Sequence, residues 1–361
     1  GPLQQHARRA GPQVPAARPA HCRIYYSTEM RHHQQKTGAF CNFLQNRPDL
    51  PPPGHRLPAG GHTQLHGAQW TPADREPIAV LQIAHGVAEH ILRYDDFARY
   101  LNDRGILVAG HDHLGHGKSL PEGGTPVYFG DRATWETVVD DIHLLHDRLR
   151  EQYPDLPILL MGHSMGSFLS RTYLIRYPGT VDGAIIMGTG YMSAASTAAS
   201  LAVINAECLR NGESRPSAVA TKASFGIYNR RFAPNRTSMD WLSLNPDNVD
   251  AYLKDPLCQG NASAGLFREM LSGIRFVCKE DNIRKMNHHT PILFISGAMD
   301  MVGDCSKGVE RAAAAFQRAG MRDVTVKLYP ELRHEVLKED CREQVYDDID
   351  RWLEGKLAGV R

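Results

Sequence analysis

The chain has 361 residues, of which 42% are hydrophobic and 22% charged, enough to bury the core of one large α/β domain with an insertion. Its formal net charge of +1 provides no field that would recruit nucleic acid. No stretch approaches about 18 uninterrupted apolar residues, so the sequence predicts no membrane-spanning helix.

Residues 1–60 differ in composition from the rest of the chain. They hold nine of the 22 prolines, and eight Lys and Arg residues against two acidic residues. Because no periodicity persists beyond a few residues, we predict a disordered or irregular leader without a catalytic role. A segment that is rich in Arg and poor in acids is also typical of a transit peptide, which stays an alternative.

Short apolar runs alternate with longer amphipathic segments from about residue 63 onward. We interpret the short runs as buried parallel strands and the long segments as helices that cover the sheet. The predicted strands are 78–84, 106–110, 157–161, 183–188, 291–296 and 324–329. The predicted helices lie near 94–104, 134–152, 165–177, 306–319 and 342–357. This order predicts an α/β fold whose functional residues collect at the carboxyl ends of the strands.

The interval 190–289 contains no clear strand. An unstructured connection of about 100 residues would be too long for a compact domain, and residues 196–209 have a helical pattern. We therefore predict a largely helical cap at 190–289, inserted between the core segments 61–189 and 290–361.

Ser164 lies between two glycines in the sequence Gly-His-Ser-Met-Gly, directly after the apolar run 157–161. A strand that turns at once into a helix needs small residues, because side chains at Gly162 and Gly166 would collide with neighbouring backbone. The serine would then lie at the amino end of the helix 165–177, where free N–H groups favour a developing negative charge. We predict that Ser164 is a nucleophile, with a purely structural turn as the alternative.

A serine hydroxyl attacks only when a base removes its proton and a carboxylate orients that base. On this architecture the expected chain order is serine, acid, histidine. Asp300 follows the predicted strand 291–296, and His334 follows the predicted strand 324–329. We predict that these two residues complete a catalytic triad with Ser164.

Other residues compete for both roles. Asp304 and Glu335 are alternative acids, although Asp300 lies closest to its strand end. His289 is an alternative base, but it precedes a strand and would lie at the opposite edge of the sheet.

Two glycine-containing segments complete the predicted site. Gly86 follows a strand and lets the chain turn back towards the serine, so the backbone N–H groups of Val87 and Met165 are the predicted oxyanion donors. A simple β-turn is the alternative for this segment. His111, His113 and His116 suggest a metal site, but we favour a glycine-rich loop with hydrogen-bonded histidines and predict no metal.

The seven cysteines are scattered, odd in number and without a Cys-x-x-Cys pair. This pattern favours reduced thiols over a disulfide framework or a zinc site. We therefore expect a cytoplasmic protein.

Five segments together resemble the serine hydrolases of the α/β-hydrolase fold. They read HGVAEHILRYDDFA, GHDHLGHGKS, GHSMGS, SGAMDMVG and LRHEVLKE. Within that fold, the chain from about residue 63 to 357 is similar to the monoacylglycerol lipase and lysophospholipase group of the serine aminopeptidase-like hydrolases. The resemblance implies an eight-stranded, mostly parallel sheet, a helical cap and no cofactor.

The resemblance also implies roles for individual residues. It places the triad at Ser164, Asp300 and His334, and the oxyanion amides at Val87 and Met165.

Glu89 and Arg93 match a pair that in this family lies near the polar end of the substrate, with a structural ion pair as the alternative. Leu337 stands where monoacylglycerol lipases proper have a further histidine, which makes the chain more similar to the bacterial esterase members.

The expected activity is the hydrolysis of carboxylic esters through an acyl-enzyme. The resemblance and the apolar cap residues Leu201, Val203 and Ile204 favour single-chain lipid esters, namely a monoacylglycerol or a lysophospholipid. A short-chain carboxylesterase or thioesterase, an iminopeptidase-type peptidase and a non-enzymatic ligand receptor are the alternatives. Transient contact of the cap with a membrane surface also stays open.

Overall fold

Seven strands form one sheet in the computed structural model, which describes residues 65–258 and 260–358. They are β1 (Gly67–Trp70), β2 (Ala79–Ala84), β3 (Ile106–His111), β4 (Ile158–His163), β5 (Gly183–Met187), β6 (Ile292–Gly297) and β7 (Val324–Tyr329). The leader predicted at 1–60 lies outside the described residues. The six predicted strands are confirmed, each to within about two residues at its ends.

Eleven α-helices surround the sheet in the described residues. They are α1 (Asp95–Asn102), α2 (Trp135–Gln152), α3 (Met165–Arg176), α4 (Ala194–Asn211), α5 (Ala218–Thr221), α6 (Ile227–Arg230), α7 (Pro246–Lys254), α8 (Ala264–Val277), α9 (Glu280–Ile283), α10 (Lys307–Arg318) and α11 (Arg342–Leu357). The short 3₁₀ helices are Ile91–Tyr94, Gly117–Ser119, Asp240–Leu242, Pro256–Cys258 and Val336–Lys338, and Lys222–Gly226 is a π-helical turn.

The strand order in the sheet is β1-β3-β2-β4-β5-β6-β7. All neighbours are parallel except β1, which pairs antiparallel with β3 at the edge. The mostly parallel α/β-hydrolase fold is therefore confirmed, but the expected eight strands are wrong for the described part of the chain, which has seven. Six strands could be recognised in the sequence from their apolar runs. The described chain adds the four-residue β1 at one edge, and the sheet ends there.

Both faces of the central strands are buried, which is why their sequences read as continuous apolar runs. In β4, Leu160 packs on one side of the sheet with residues of α2 and α3. Its neighbours Leu159 and Met161 pack on the other side with α1 and α11. The alternation of side chains along a strand thus divides the core into two layers.

Polar side chains fix the starts of several helices. At the start of α2, the Thr134 side chain accepts a hydrogen bond from the backbone N–H of Thr137. The Thr137 side chain in turn accepts the backbone N–H of Thr134. At the starts of α4 and α8, the side chains of Ser193 and Ser263 each accept one backbone N–H, from Ser196 and Leu266 respectively. Each cap satisfies an N–H group that has no partner within the helix.

The helix α3 is buried on all sides, from Met165 to Ile175. The sequence predicted one buried face, and this was wrong because α2 and α8 cover the side that faces away from the sheet. The helix that follows Ser164 is therefore enclosed between the sheet and other helices.

Arg171 on α3 is fully buried and contacts the helical segment between β5 and β6 at two places, near its start and at the end of α8. Its guanidinium donates to the Gly190 carbonyl at 2.9 Å and to the Thr189 hydroxyl at 3.2 Å, where the cap begins. It also donates to the Val277 carbonyl at 3.2 Å, at the end of α8. Burial lowers the pKa of Arg171.

Of the helices in the described residues, none combines the length and apolar character needed to cross a bilayer. The five cysteines in the same part of the chain are free thiols.

Candidate active site

Ser164 lies in the sharp turn between β4 and α3. Its backbone has φ 55° and ψ −121°, a conformation that is strained for any residue other than glycine. A Cβ atom on Gly162 would lie 2.2 Å from the Gly166 carbonyl oxygen, and one on Gly166 would lie 2.0 Å from the Ala84 carbonyl oxygen. The predicted need for small residues on both sides of the serine is therefore confirmed.

Asp300 and His334 follow β6 and β7 and meet at the carboxyl end of the sheet. The Nδ1–H of His334 donates to Oδ2 of Asp300 at 2.9 Å, and both side chains are buried. The Val302 N–H donates to Oδ1 of Asp300 at 2.9 Å, which fixes the carboxylate. With Nδ1 engaged, Nε2 is the free nitrogen of the His334 ring.

The competing residues lie elsewhere. Asp304 is exposed. Glu335 is buried, but Arg93 donates to its two oxygens at 2.6 and 2.9 Å. His289 is exposed and precedes β6, at the edge of the sheet opposite to the carboxyl ends.

The loop after β2 passes directly over the serine. A Cβ atom on Gly86 would lie 3.1 Å from Cβ of Ser164, so only glycine fits there without displacing a neighbour. Val87 lines the same cavity as Ser164. Met165 is the first residue of α3, so its N–H has no acceptor within the helix.

Three buried histidines support this loop. The His113 N–H donates to Nε2 of His85 at 2.9 Å, so the proton of His85 is on Nδ1, which donates to the Gly86 carbonyl at 2.8 Å. In a trans peptide the carbonyl and the following N–H point in opposite directions. His85 thereby fixes the direction of the Val87 N–H.

His85 in the loop after β2, and His113 and His116 in the loop after β3, are held in their neutral form. Burial lowers the pKa of His85 and His113, and it lowers the pKa of His116 to about 4. Nε2 of His113 donates to the His85 carbonyl at 3.1 Å, and Nδ1 of His116 donates to the Leu114 carbonyl at 2.9 Å. These contacts match the predicted hydrogen bonding for His113 and His116.

Glu89 and Arg93 belong to a buried ion network behind the serine. Arg93 lies between Glu89, at 2.8 Å, and Glu335. Burial alone would raise the pKa of Glu89, but the hydrogen bond from His163 and the Arg93 charge hold that pKa well below its usual range. Both residues thus form a structural ion pair, and Glu89 also lines the cavity.

His163 connects the network to the catalytic candidates. Its Nδ1–H donates to Oε1 of Glu89 at 3.1 Å, and its ring lies 4.7 Å from the ring of His334. Burial would lower the pKa of His163, but the hydrogen bond to Glu89 and the Glu89 charge outweigh it and raise that pKa. Glu89 also accepts the Gly86 N–H at 2.5 Å, so one carboxylate positions both the loop and the strand end.

A cavity of about 250 Å³ opens above Ser164 and His334. Its core side is largely polar and includes Val87, Glu89, Ser164, His334 and Glu335. Its cap side is largely apolar and includes Phe225, Met239, Trp241, Leu242, Tyr252 and Leu253. The site is therefore amphipathic, with the serine on the polar side.

The cap residues that line the cavity differ from those expected. Ile204 is buried in the core and Leu201 packs against it, whereas Val203 is 56% exposed. The helix that carries them packs on α8, so its apolar face is used in folding.

Trp241 was not predicted from the sequence, although its ring lies 5.0 Å from the His334 ring. Gly188 at the end of β5 was not predicted either. Gly188 has φ 58°, and a Cβ atom there would lie 3.1 Å from the His334 ring. A glycine as the last residue of the predicted strand 183–188 was the available signal for Gly188, but no local pattern indicates Trp241.

Known proteins resemble this chain over most of its length. The serine aminopeptidase, S33, family matches residues 75–341. A monoacylglycerol lipase of Mycolicibacterium smegmatis is 30% identical over 304 residues, which cover 84% of this chain and 97% of the relative. The monoglyceride lipase of Homo sapiens is 29% identical over 320 residues, which cover 86% of this chain and 92% of the relative.

A solved structure shows the same arrangement of elements. The crystal structure of a highly thermostable carboxyl esterase from Bacillus coagulans, in complex with glycerol, matches with a TM-score of 0.76 at 28% identity. The match covers 84% of this chain and 97% of the esterase. Together with the match to residues 75–341, this shows that the chain belongs to the serine aminopeptidase S33 family of α/β-hydrolase-fold proteins.

Proposed function

We propose that the protein is a serine hydrolase that cleaves the carboxylic esters of single-chain lipids, with monoacylglycerols as the first candidate. The observation that carries the proposal is the position of Ser164. It lies in a strained turn and shares one amphipathic cavity with His334, which Asp300 holds by its other nitrogen.

In this mechanism the Ser164 hydroxyl attacks the acyl carbonyl carbon while Nε2 of His334 takes its proton. Asp300 keeps the imidazole in the required tautomer and stabilises its charged form. The N–H groups of Val87 and Met165 bind the negative oxygen of the tetrahedral intermediate. His334 then gives its proton to the leaving alcohol, and a water molecule hydrolyses the acyl-enzyme by the same sequence of steps.

The cavity supports an ester with one apolar and one polar part. The acyl chain would lie against Phe225, Met239 and Leu253 of the cap, and the alcohol near Glu89 on the core side. The names of the relatives from Mycolicibacterium smegmatis and Homo sapiens support a monoacylglycerol as the substrate.

Leu337 distinguishes this chain from monoacylglycerol lipases proper, which have a histidine there. It is buried and lines a cavity of about 20 Å³ behind the ion network, together with Arg93 and Lys338. An apolar residue at this position adds no hydrogen bond to the network, so we expect a broader choice of alcohol than in the lipases proper.

Labelling with a fluorophosphonate tests the nucleophile. We expect covalent labelling of the wild type and none of Ser164→Ala. Ser170→Ala is the matched control, because it removes another buried hydroxyl from α3. This hydroxyl has no hydrogen-bond partner among the described residues. Labelling that persists in Ser164→Ala would contradict the role of Ser164.

A series of p-nitrophenyl esters with acyl chains of increasing length tests the substrate class. We expect activity to persist from short to long chains and 1-monoacylglycerols to be hydrolysed. A sharp fall beyond short chains would instead support a short-chain esterase, and release of proline from an N-terminal arylamide would support a peptidase.

A further inference from the structure

His90, Asp255 and Cys258 form a cluster at the boundary between the core and the cap. One ring nitrogen, one carboxylate oxygen and one sulfur lie within 4.8 Å of one another. His90 belongs to the core loop that also carries Val87 and Glu89, whereas Asp255 and Cys258 belong to the cap. Cys258 also lines the cavity above Ser164.

We propose that His90, Asp255 and Cys258 bind a zinc ion that links the cap to the core. Imidazole nitrogen, carboxylate oxygen and thiolate sulfur are the three ligand types of zinc sites in proteins. A set of three protein ligands leaves one position of the tetrahedron for water. The proposal concerns a site separate from Ser164, Asp300 and His334.

The separations require only a small rearrangement. Bond lengths of about 2.0–2.3 Å place the ligand atoms of a tetrahedral zinc roughly 3.3–3.6 Å apart. Nε2 of His90 and Oδ2 of Asp255 are 2.8 Å apart, so this pair would separate by about half an ångström. The sulfur of Cys258 lies within 4.8 Å of both partners, so it would approach them by at most about 1.5 Å.

The side chains are positioned to make this change. The Leu257 N–H donates to Oδ1 of Asp255 at 2.8 Å, which orients the carboxylate and leaves Oδ2 to face His90. Nδ1 of His90 is buried and has no hydrogen-bond partner among the described residues. Zinc would therefore replace a single hydrogen bond of the His90 ring.

The proton balance is simple. Binding converts the Cys258 thiol to a thiolate, and its proton goes to solvent. His90 binds as a neutral ring through Nε2, and its ring proton moves to Nδ1. Burial raises the pKa of Cys258 and the nearby Arg93 charge opposes this, so the metal itself must drive the loss of the proton.

Protection of Cys258 from alkylation tests the site without any use of activity. The protein is treated with a chelator, dialysed, and alkylated with iodoacetamide with or without zinc. Mass spectrometry then follows each cysteine. We expect zinc to slow the alkylation of Cys258 at least tenfold and to leave the exposed Cys341 unchanged. Equal rates for Cys258 with and without zinc would overturn the proposal.

Two variants make the test specific. Asp255→Asn keeps the reporter cysteine but removes a ligand, so we expect it to lose the protection. His143→Gln is the matched control, because it removes the other cluster of His and Asp residues in the described chain, and protection should persist. Protection that survives in Asp255→Asn, or that is lost in His143→Gln, would refute this site.

Cobalt gives an independent spectroscopic readout. Co²⁺ bound to a thiolate has a charge-transfer absorption in the near ultraviolet, which we expect in the wild type and not in Cys258→Ser. A band of equal strength in Cys258→Ser would show that another cysteine binds the metal.

A final comparison uses ester hydrolysis. Of the tests of the zinc site, it is the one that rests on the proposed function. Zinc would hold the cap against the loop of Val87, so we expect it to slow the wild type more than Cys258→Ser, each relative to its own rate without zinc. If zinc inhibits both proteins equally while Cys258 is still protected from alkylation, the proposed effect on the cap is refuted. The proposed zinc site itself is then still supported. A protein without activity would not affect the alkylation and cobalt results.

Discussion

Neighbouring carboxylates near Ser164 differ in the cation that each one faces. Asp300 binds His334, whereas Glu335, the next residue in the chain after His334, binds Arg93. Burial would raise the pKa of Glu335, but the Arg93 charge lowers it, so this carboxylate is already neutralised by a permanent cation. Of the described carboxylates, Asp300 is the one hydrogen-bonded to His334, so it is the one placed to stabilise the positive charge that the proposed mechanism develops on that ring.

Asp300→Asn should lower kcat by about 10⁴-fold, because an amide cannot hold the required tautomer of the imidazole. The KM should change little, since the Asp300 side chain is buried behind the histidine. Hydrolysis of a p-nitrophenyl ester measures both values.

Asp304→Asn is the matched control, because it makes the same chemical change at an exposed position four residues away. Comparable losses of kcat in Asp300→Asn and Asp304→Asn would show that the loss comes from folding or from surface charge. Full activity of Asp300→Asn would contradict the triad.

The residues that follow strand ends could be predicted from the sequence, but their surroundings could not. The pairing of Asp300 with His334, which are hydrogen-bonded in the structure, was predictable because apolar runs precede both residues and the chain order fits. The ion pair between Arg93 and Glu335 joins residues 242 positions apart, and the ring of Trp241 reaches His334 from the cap. Such contacts depend on the packing of distant segments, which no local pattern encodes.

The turn from β4 into α3 is the element on which the site depends. Its strand, its serine and its helix were all predicted, because the glycines and the apolar run are local signals. The strand β1 was missed, since its four residues lie at an antiparallel edge and carry no pattern long enough to recognise.

Gly166→Ala should destabilise the protein by about 1–3 kcal/mol or more, since the added Cβ would lie 2.0 Å from the Ala84 carbonyl oxygen. Labelling by the fluorophosphonate should fall as well, because β2 and α3 must separate and the loop of Val87 follows β2. Urea unfolding measures the stability.

Gly355→Ala is the control for the loss of a helical glycine. A Cβ atom at this position in α11 would meet no atom within 4 Å. Alanine should therefore stabilise the protein by roughly 0.5–1 kcal/mol, through helix propensity alone. Equal effects of the two substitutions would show that close backbone contact at Gly166 is unimportant.

At the scale of the whole molecule, the buried histidines link folding to pH. His85, His113 and His116 are held neutral in the folded protein, so the unfolded chain binds more protons below their usual pKa of about 6.5. The stabilisation that comes from these three neutral rings is complete above that pH and declines as the pH falls towards the lowered values. The carboxylates of the ion network act in a separate window, since their stabilisation is lost only below their usual pKa of about 4.3.

The free energy of unfolding should therefore decrease between pH 6.5 and 4, with about 3 kcal/mol from His116 alone. Urea unfolding at several pH values measures this slope. His116→Asn keeps a donor near the position of Nδ1 but cannot titrate, so its slope should be shallower. Parallel profiles for the two proteins would contradict the role of His116.

Arg171 donates hydrogen bonds near the start of the cap and at the end of α8. These bonds restrict how caps can be exchanged between members of the family. A transplanted cap would have to offer a carbonyl oxygen near its first residues and another at the end of its last long helix, where Gly190 and Val277 now supply them. A graft without these acceptors would leave the buried cation of Arg171 unsatisfied within the helix that follows Ser164. Chimeras intended to change substrate choice should therefore keep the two joints and exchange only the residues between them.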